Sequence, residues 1–177
     1  SGSAGAGAPR RRAVAGPSPA AGRRAPAALP SGARCFAAPE RRLAVDDIRP
    51  VAAGDGAVLE ALYAACFDEA LAPATRESLL ASPGMWASIA WTEPAGAREA
   101  TGFVIARSIA GEAEIVSLGV RPGARRRGIG TALLADTLCR AVALGAAAVY
   151  LEVAEDNAGA IALYRGAGFE IAGRRPE

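Results

Sequence analysis

The sequence predicts an α/β fold built on one mixed sheet, mostly antiparallel, with a parallel strand–helix–strand unit at its back. Three observations lead there. The stretches WASIAW (86–91), TGFVIAR (101–107) and EIVSLGV (114–120) read as strands and follow one another across short, turn-rich connections, as antiparallel neighbours do. Apolar residues three and four apart over 131–144 then mark a helix, which Gly145 ends at the place a left-handed cap requires. Finally AVYLEVAED (148–156) reads as a strand, NAGAIALYRGAG (157–168) as a helix starting at Asn157, and FEIAGRR (169–175) as a strand. A strand–helix–strand succession implies a parallel pair.

Ahead of that sheet, RLAVDDIRPV gives one more short strand. Asp55 is placed to cap a helix whose apolar positions Val58, Leu59, Leu62, Tyr63 and Cys66 fall at helical spacing. A second short helix is expected from Thr75, in TRESLLAS, and stops at Pro83.

Residues 1–39 are almost entirely Ala, Gly, Pro, Ser and Arg, too poor in large apolar side chains to offset the entropy of ordering them. Disorder is expected there, with one folded domain over 40–177. The tail carries six arginines and no acid, +6, whereas residues 40–177 carry fourteen arginines against eighteen acids, −4. An arginine-rich, acid-free tail can be a nucleic-acid arm or a transit segment, and it can equally be a plain extension. The chain does not start with Met, as a fragment or a processed chain would not.

Composition narrows the chemistry. All twenty basic residues are arginine, with no lysine and no histidine, so a histidine base, a histidine metal ligand and a lysine Schiff base are excluded. Acid–base work falls to Asp, Glu, Tyr or Cys. Cys35, Cys66 and Cys139 are scattered, without the close pairs of zinc or redox motifs, so they read as reduced thiols and no metal site is expected. No apolar run approaches the roughly twenty residues of a membrane span, and no secretory signal core is visible. A soluble, cytoplasmic protein is expected.

The stretch ARRRGIG (124–130) carries the strongest chemical signal. Gly128 and Gly130 leave the backbone unobstructed as a helix begins. The N–H groups of Arg127, Gly128, Ile129, Gly130 and Thr131 can therefore face an anion under the favourable end of the helix dipole. Arg125, Arg126 and Arg127 can add charge-assisted bonds, which together suit a pyrophosphate. A nucleoside-triphosphate loop is excluded by the lack of Gly-Lys-Ser/Thr. A dinucleotide fingerprint is excluded by Leu133, which stands where its third glycine belongs. Taken alone, the stretch also fits a solvated basic turn before an amphipathic helix.

The pattern Arg125-x-x-Gly128-x-Gly130 resembles the phosphate loop of the GNAT superfamily of acetyl-CoA-dependent N-acetyltransferases. Leu151-Glu152-Val153, Asn157, Ala162-Leu163-Tyr164 and Gly168-Phe169 resemble the bacterial ribosomal-protein-alanine N-acetyltransferases within it. The resemblance covers about residues 43–175 and is strongest over 114–175. It implies a GNAT fold in which the strand 116–120 splays from the strand 149–153. Acetyl-CoA would enter there, its pyrophosphate on the loop and its thioester carbonyl near a backbone amide of Leu118 or Val120.

Acetyl transfer to an amine needs a base for the amine proton and an acid for the leaving thiolate. Glu152 lies mid-strand among apolar residues, where partial burial would make it a better base. The resemblance implies Glu152 as general base through water, Tyr164 as general acid and Asn157 as a coenzyme contact. Each residue also has a plain structural use: Glu152 facing solvent, Tyr164 in the core, Asn157 as a helix cap. Cys139 reads as core packing.

Two departures bear on the acceptor side. Family members continue past the position of Arg175 with an aromatic-rich segment and one more strand, so a sheet one strand short, with unpaired edges, is expected. Leu71 to Pro73 stand where the family often has a tryptophan. The implied function is acetylation of a protein N-terminal α-amine, with a ribosomal protein as acceptor. The alternatives are a small-molecule or side-chain amine as acceptor, or a non-catalytic acyl-CoA-binding module.

Overall fold

A computed structural model describes residues 10–15, 45–67 and 70–174. The frame is a seven-stranded sheet in the order β2-β3-β4-β5-β6-β1-β7. Its strands are β1 (Arg10–Ala15), β2 (Asp47–Pro50), β3 (Met85–Thr92), β4 (Glu99–Ile109), β5 (Glu112–Val120), β6 (Ala148–Ala154) and β7 (Glu170–Arg174). All neighbours are antiparallel except β5 and β6, which run parallel as the strand–helix–strand reading requires.

Helices cover both faces. On one face lie α1 (Gly56–Cys66) and α2 (Pro73–Ala81), whose Leu59 and Leu62 close over Ile89, Phe103 and Ile105. On the other lie α3 (Ile129–Ala143) and α4 (Ala158–Gly166), with Leu133, Leu134 and Leu138 packed over Val104, Ile115, Val149 and Leu151. Because β4 is buried on both faces from Thr101 to Ala106, its sequence is a continuous apolar run where an edge strand would alternate. Each fully buried Leu or Ile contributes about 1.5–3 kcal/mol of hydrophobic free energy.

Turn chemistry follows the sequence closely. The β4–β5 hairpin closes through Ala110 and Gly111, both with positive φ, the two-residue turn that matches the twist of its strands. Gly145 takes φ +83 after α3, the left-handed cap expected of it. Asn157 caps α4 by accepting the Ala160 N–H at 3.0 Å. Asp55 does not cap α1 in this way: its carboxylate instead accepts the Ala52 N–H at 3.0 Å and pairs with Arg49. The second helix starts at Pro73, two residues before the expected Thr75.

Two expectations are corrected. Residues 10–15, placed in a disordered tail, form β1, while the rest of 1–39, with Cys35, lies outside the described residues. Nor is the sheet one strand short at β6, because β1 fills the slot between β6 and β7. The physical reason is the same for both. Strand addition is driven by backbone hydrogen bonds, which a segment poor in apolar side chains can make as well as any other.

Candidate active site

The site begins with a defect in β5. Ile105 pairs with Ser117 but Ala106 pairs with Ile115, so Val116 is an extra residue, a bulge that bends the strand. The parallel ladder to β6 runs only from Glu112↔Ala148 to Ile115↔Leu151. Beyond it β5 continues to Val120 without β6, which places the expected splay over 116–120.

A cavity of about 620 Å³ lies against this wedge. Leu118 and Val120 line it from β5, Arg125 and Arg126 from the loop, and Gly128, Ile129, Gly130 and Thr131 from the start of α3. Asn157 joins them from the cap of α4. Of the residues singled out for the coenzyme, only Arg127 is elsewhere, on the wall of a neighbouring cavity of about 640 Å³ that also includes Arg121 and Glu99. The cause is local: Arg126 sits at φ +65 and Gly128 at φ +83, so the chain turns sharply on either side of Arg127.

The first hydrogen bond of the helical turn, from the Ala132 N–H to the Gly128 carbonyl, spans 3.0 Å. The N–H groups of Ile129, Gly130 and Thr131 therefore lie ahead of the helical ladder, at the positive end of the helix dipole. Arg125 is tied back by an Nε bond of 3.1 Å to the Val120 carbonyl, which fixes its charge at the end of β5. Gly130 has little room beside it: a Cβ there would stand 3.3 Å from Leu163 of α4. Helix-start amides, two arginines and a cavity of this volume are chemically suited to the pyrophosphate of coenzyme A.

Sequence reasoning missed one wall. Cys66 and Phe67, at the end of α1, line the cavity opposite α4, and Gly119 allows this approach, since a Cβ there would fall 3.0 Å from Cys66 Sγ. Burial pushes the Cys66 thiol up, while Arg125 and Arg121 pull it back only in part. Helical spacing placed Cys66 on an apolar stripe and held no signal that the stripe ends at a cavity.

The two residues read as base and acid are not together. Tyr164 is 8% exposed and packs its ring 5.6 Å from that of Phe169 in the α3–α4 core. Burial pushes its hydroxyl up to about 12. Glu152 is exposed, contrary to the burial expected for it, because it alternates with Leu151 and Val153, which take the core side of β6. It lines a smaller cavity of about 420 Å³ with Tyr150, Glu112 and Glu114. Base and acid candidates thus flank the sheet on opposite faces, and the wedge beyond Ile115 and Leu151 is the opening between them.

These features define an α/β protein with a cavity at a splayed parallel pair, rimmed by arginines and by the free amides of a helix start. The model of the acetyltransferase (GNAT) family matches residues 57–169, and the chain belongs to that family. It is 39% identical over 70 residues to the [ribosomal protein bS18]-alanine N-acetyltransferase of Escherichia coli K12, a match covering 40% of this chain and 47% of that protein. It is 44% identical over 89 residues to the mycothiol acetyltransferase of Clavibacter michiganensis, covering 46% of this chain and 29% of that one. The chain thus spans less than half the length of either relative. The crystal structure of the ribosomal-protein-S18-alanine N-acetyltransferase from Escherichia coli shares its fold, with a TM-score of 0.64 at 24% identity over 72% of this chain and 79% of that one. Among the described residues no helix is long and apolar enough to cross a membrane.

Proposed function

We propose that the chain transfers the acetyl group of acetyl-CoA to the N-terminal α-amine of a cytoplasmic protein, with a ribosomal protein as the acceptor class. The observation that carries this reading is the wedge opened by Val116, with the amide-rich start of α3 on one side of the sheet and Glu152 on the other. The Escherichia coli relative's name supports the acceptor.

Bound acetyl-CoA supplies an activated acetyl thioester. Arg125 and Arg126, with the N–H groups of Ile129, Gly130 and Thr131, hold its pyrophosphate, and the backbone of Leu118 and Val120 orients the arm. Asn157 has its Oδ1 committed to Ala160, so its side-chain NH₂ is the group left for the coenzyme. Glu152, exposed on the face of α1 and α2, receives the ammonium proton through water. Tyr164 keeps its proton at neutral pH, so its hydroxyl stabilises the departing thiolate as a hydrogen-bond donor. A phenol near 12 lies well above a thiol near 8.5, so full proton transfer between them would be uphill.

A small-molecule amine is the second reading, favoured by the 44% identity to a mycothiol acetyltransferase. Mass spectrometry of the chain with acetyl-CoA, a panel of peptides with free N-termini and a set of small amines separates the two. Acetyl gain on the α-amine of alanine-start peptides supports the first reading, and gain confined to small amines replaces it with the second. No gain with coenzyme bound leaves a non-catalytic module.

A further inference from the structure

We propose that Arg10–Ala15 is a positioning strand for acetyl transfer: docked between β6 and β7, it fixes the backbone that carries Glu152 and the helix that carries Tyr164. The inference rests on the acetyltransferase reading for its chemistry and on strand pairing for its geometry.

The inner edge of β6 loses its ladder at Leu151, because β5 has already turned away. From Glu152 onward, the pairs Arg12↔Glu152, Arg11↔Val153 and Arg10↔Ala154 are the only strand contacts of β6 among the described residues. The wedge that admits the coenzyme thus leaves the segment bearing the base to be held from its outer edge. At the other edge of β1, β7 has no strand partner but β1 among the described residues, over the pairs from Arg11↔Arg174 to Val14↔Glu170. Between α4 and β7 stands Phe169, 4% exposed and against Tyr164. Undocking β1 would therefore strip the ladder from 152–154 and from 170–174 together, and unladdered segments open locally.

The coenzyme cavity has no such dependence. Its walls come from β5, the loop, the start of α3, the end of α1 and the first turns of α4, with no residue of β6 among them, and β1 lies beyond β6 in the strand order. In the sequence, residues 16–44, rich in Gly, Pro and Ala, stand between β1 and the described residues 45–174. The cavity thus gathers on the β5 side of the wedge, while the segments carrying Glu152 and following Tyr164 pair with β1.

The test uses the full chain with Ala13→Pro, which removes a ladder N–H in the middle of β1, beside Ala13→Ser, which keeps it. Hydrogen exchange read by mass spectrometry should show protection lost at 152–154 and 170–174 in the proline variant and retained through β3 and β4. Coenzyme A affinity should stay within about twofold while acetyl transfer falls by about a hundredfold, the scale expected when a reacting group is misplaced by an ångström. The serine variant should match the parent in all three. Unchanged exchange at 170–174 in the proline variant overturns the proposal, as does lost protection with transfer intact. If exchange and coenzyme affinity report a global loss of fold, β1 is part of the folding core and the division drawn here is overturned. If the parent itself transfers no acetyl group, the enzymatic reading fails, and the claim that β1 holds 152–154 and 170–174 is still decided by exchange alone.

Discussion

Tyr164 offers the sharpest quantitative test of the site, because burial alone sets its ionisation. Its hydroxyl stands near 12 in the folded chain against about 10 for a free tyrosine. A folded value above the unfolded one means that the native state holds the proton longer. The associated stability is therefore complete below pH 10 and is lost as the pH rises through 12. Two pH units at 1.36 kcal/mol each make that loss about 3 kcal/mol. Urea unfolding of the parent and of Tyr164→Phe, each at about pH 8 and about pH 12, isolates it, since every other group titrates alike in both. Because the folded hydroxyl is only half ionised at about pH 12, the parent should lose about 2 kcal/mol more than the variant between those two conditions. At neutral pH the same substitution should leave coenzyme affinity unchanged and lower kcat by about a hundredfold, as loss of one donor to a developing charge does. Equal alkaline losses in the two chains, or a tyrosinate signal complete by about pH 11, would refute the reasoning.

Glu152→Gln changes one exposed side chain, so unfolding should shift by less than about 0.5 kcal/mol and coenzyme affinity should hold, while acetyl transfer measured by thiol release falls by about 10²–10⁴-fold; unchanged transfer would remove Glu152 from the mechanism. Gly128→Ala places a side chain at φ +83 and should cost about 1–2 kcal/mol, read as weaker coenzyme binding and a lower Tm. Gly123→Ala, with nothing within 4 Å of the added carbon, should change neither. Leu133→Ala empties a fully buried position beneath α3 and should cost about 2–5 kcal/mol in urea unfolding, with m unchanged.

What was legible in the sequence was what short-range chemistry decides. Gly145 and Asn157 occupy the conformation and the cap foreseen for them because each depends on the backbone within a few residues. The helix start after Gly128, with its amides ahead of the ladder, is local in the same sense. Cys66 and Phe67 were not foreseen at the cavity because their approach depends on Gly119, more than fifty residues away, and on the bend of β5. Asp55 found the Ala52 N–H and Arg49 instead of its expected cap, a choice between partners of equal chemical fitness. For Glu152 the sequence leaves partial burial and a solvent-facing position both open, and the alternation of β6, with Leu151 and Val153 on the core side, decides for exposure. β1 escaped because composition reports on side chains, and a strand slot is filled by main-chain groups.

Val116 adds one residue of length to β5 and no functional group, yet it reverses the parity of the strand. Before it, Ala113 and Ile115 turn toward α3; after it, Leu118 and Val120 do. Odd positions give way to even ones without any change of side. Shortening the strand by that residue would restore an unbroken ladder to β4, leave Leu118 and Val120 on the face they now hold, and remove only the bend that parts β5 from β6. The opening between β5 and β6 is thus written as a count of residues, invisible to any inventory of which residues are present.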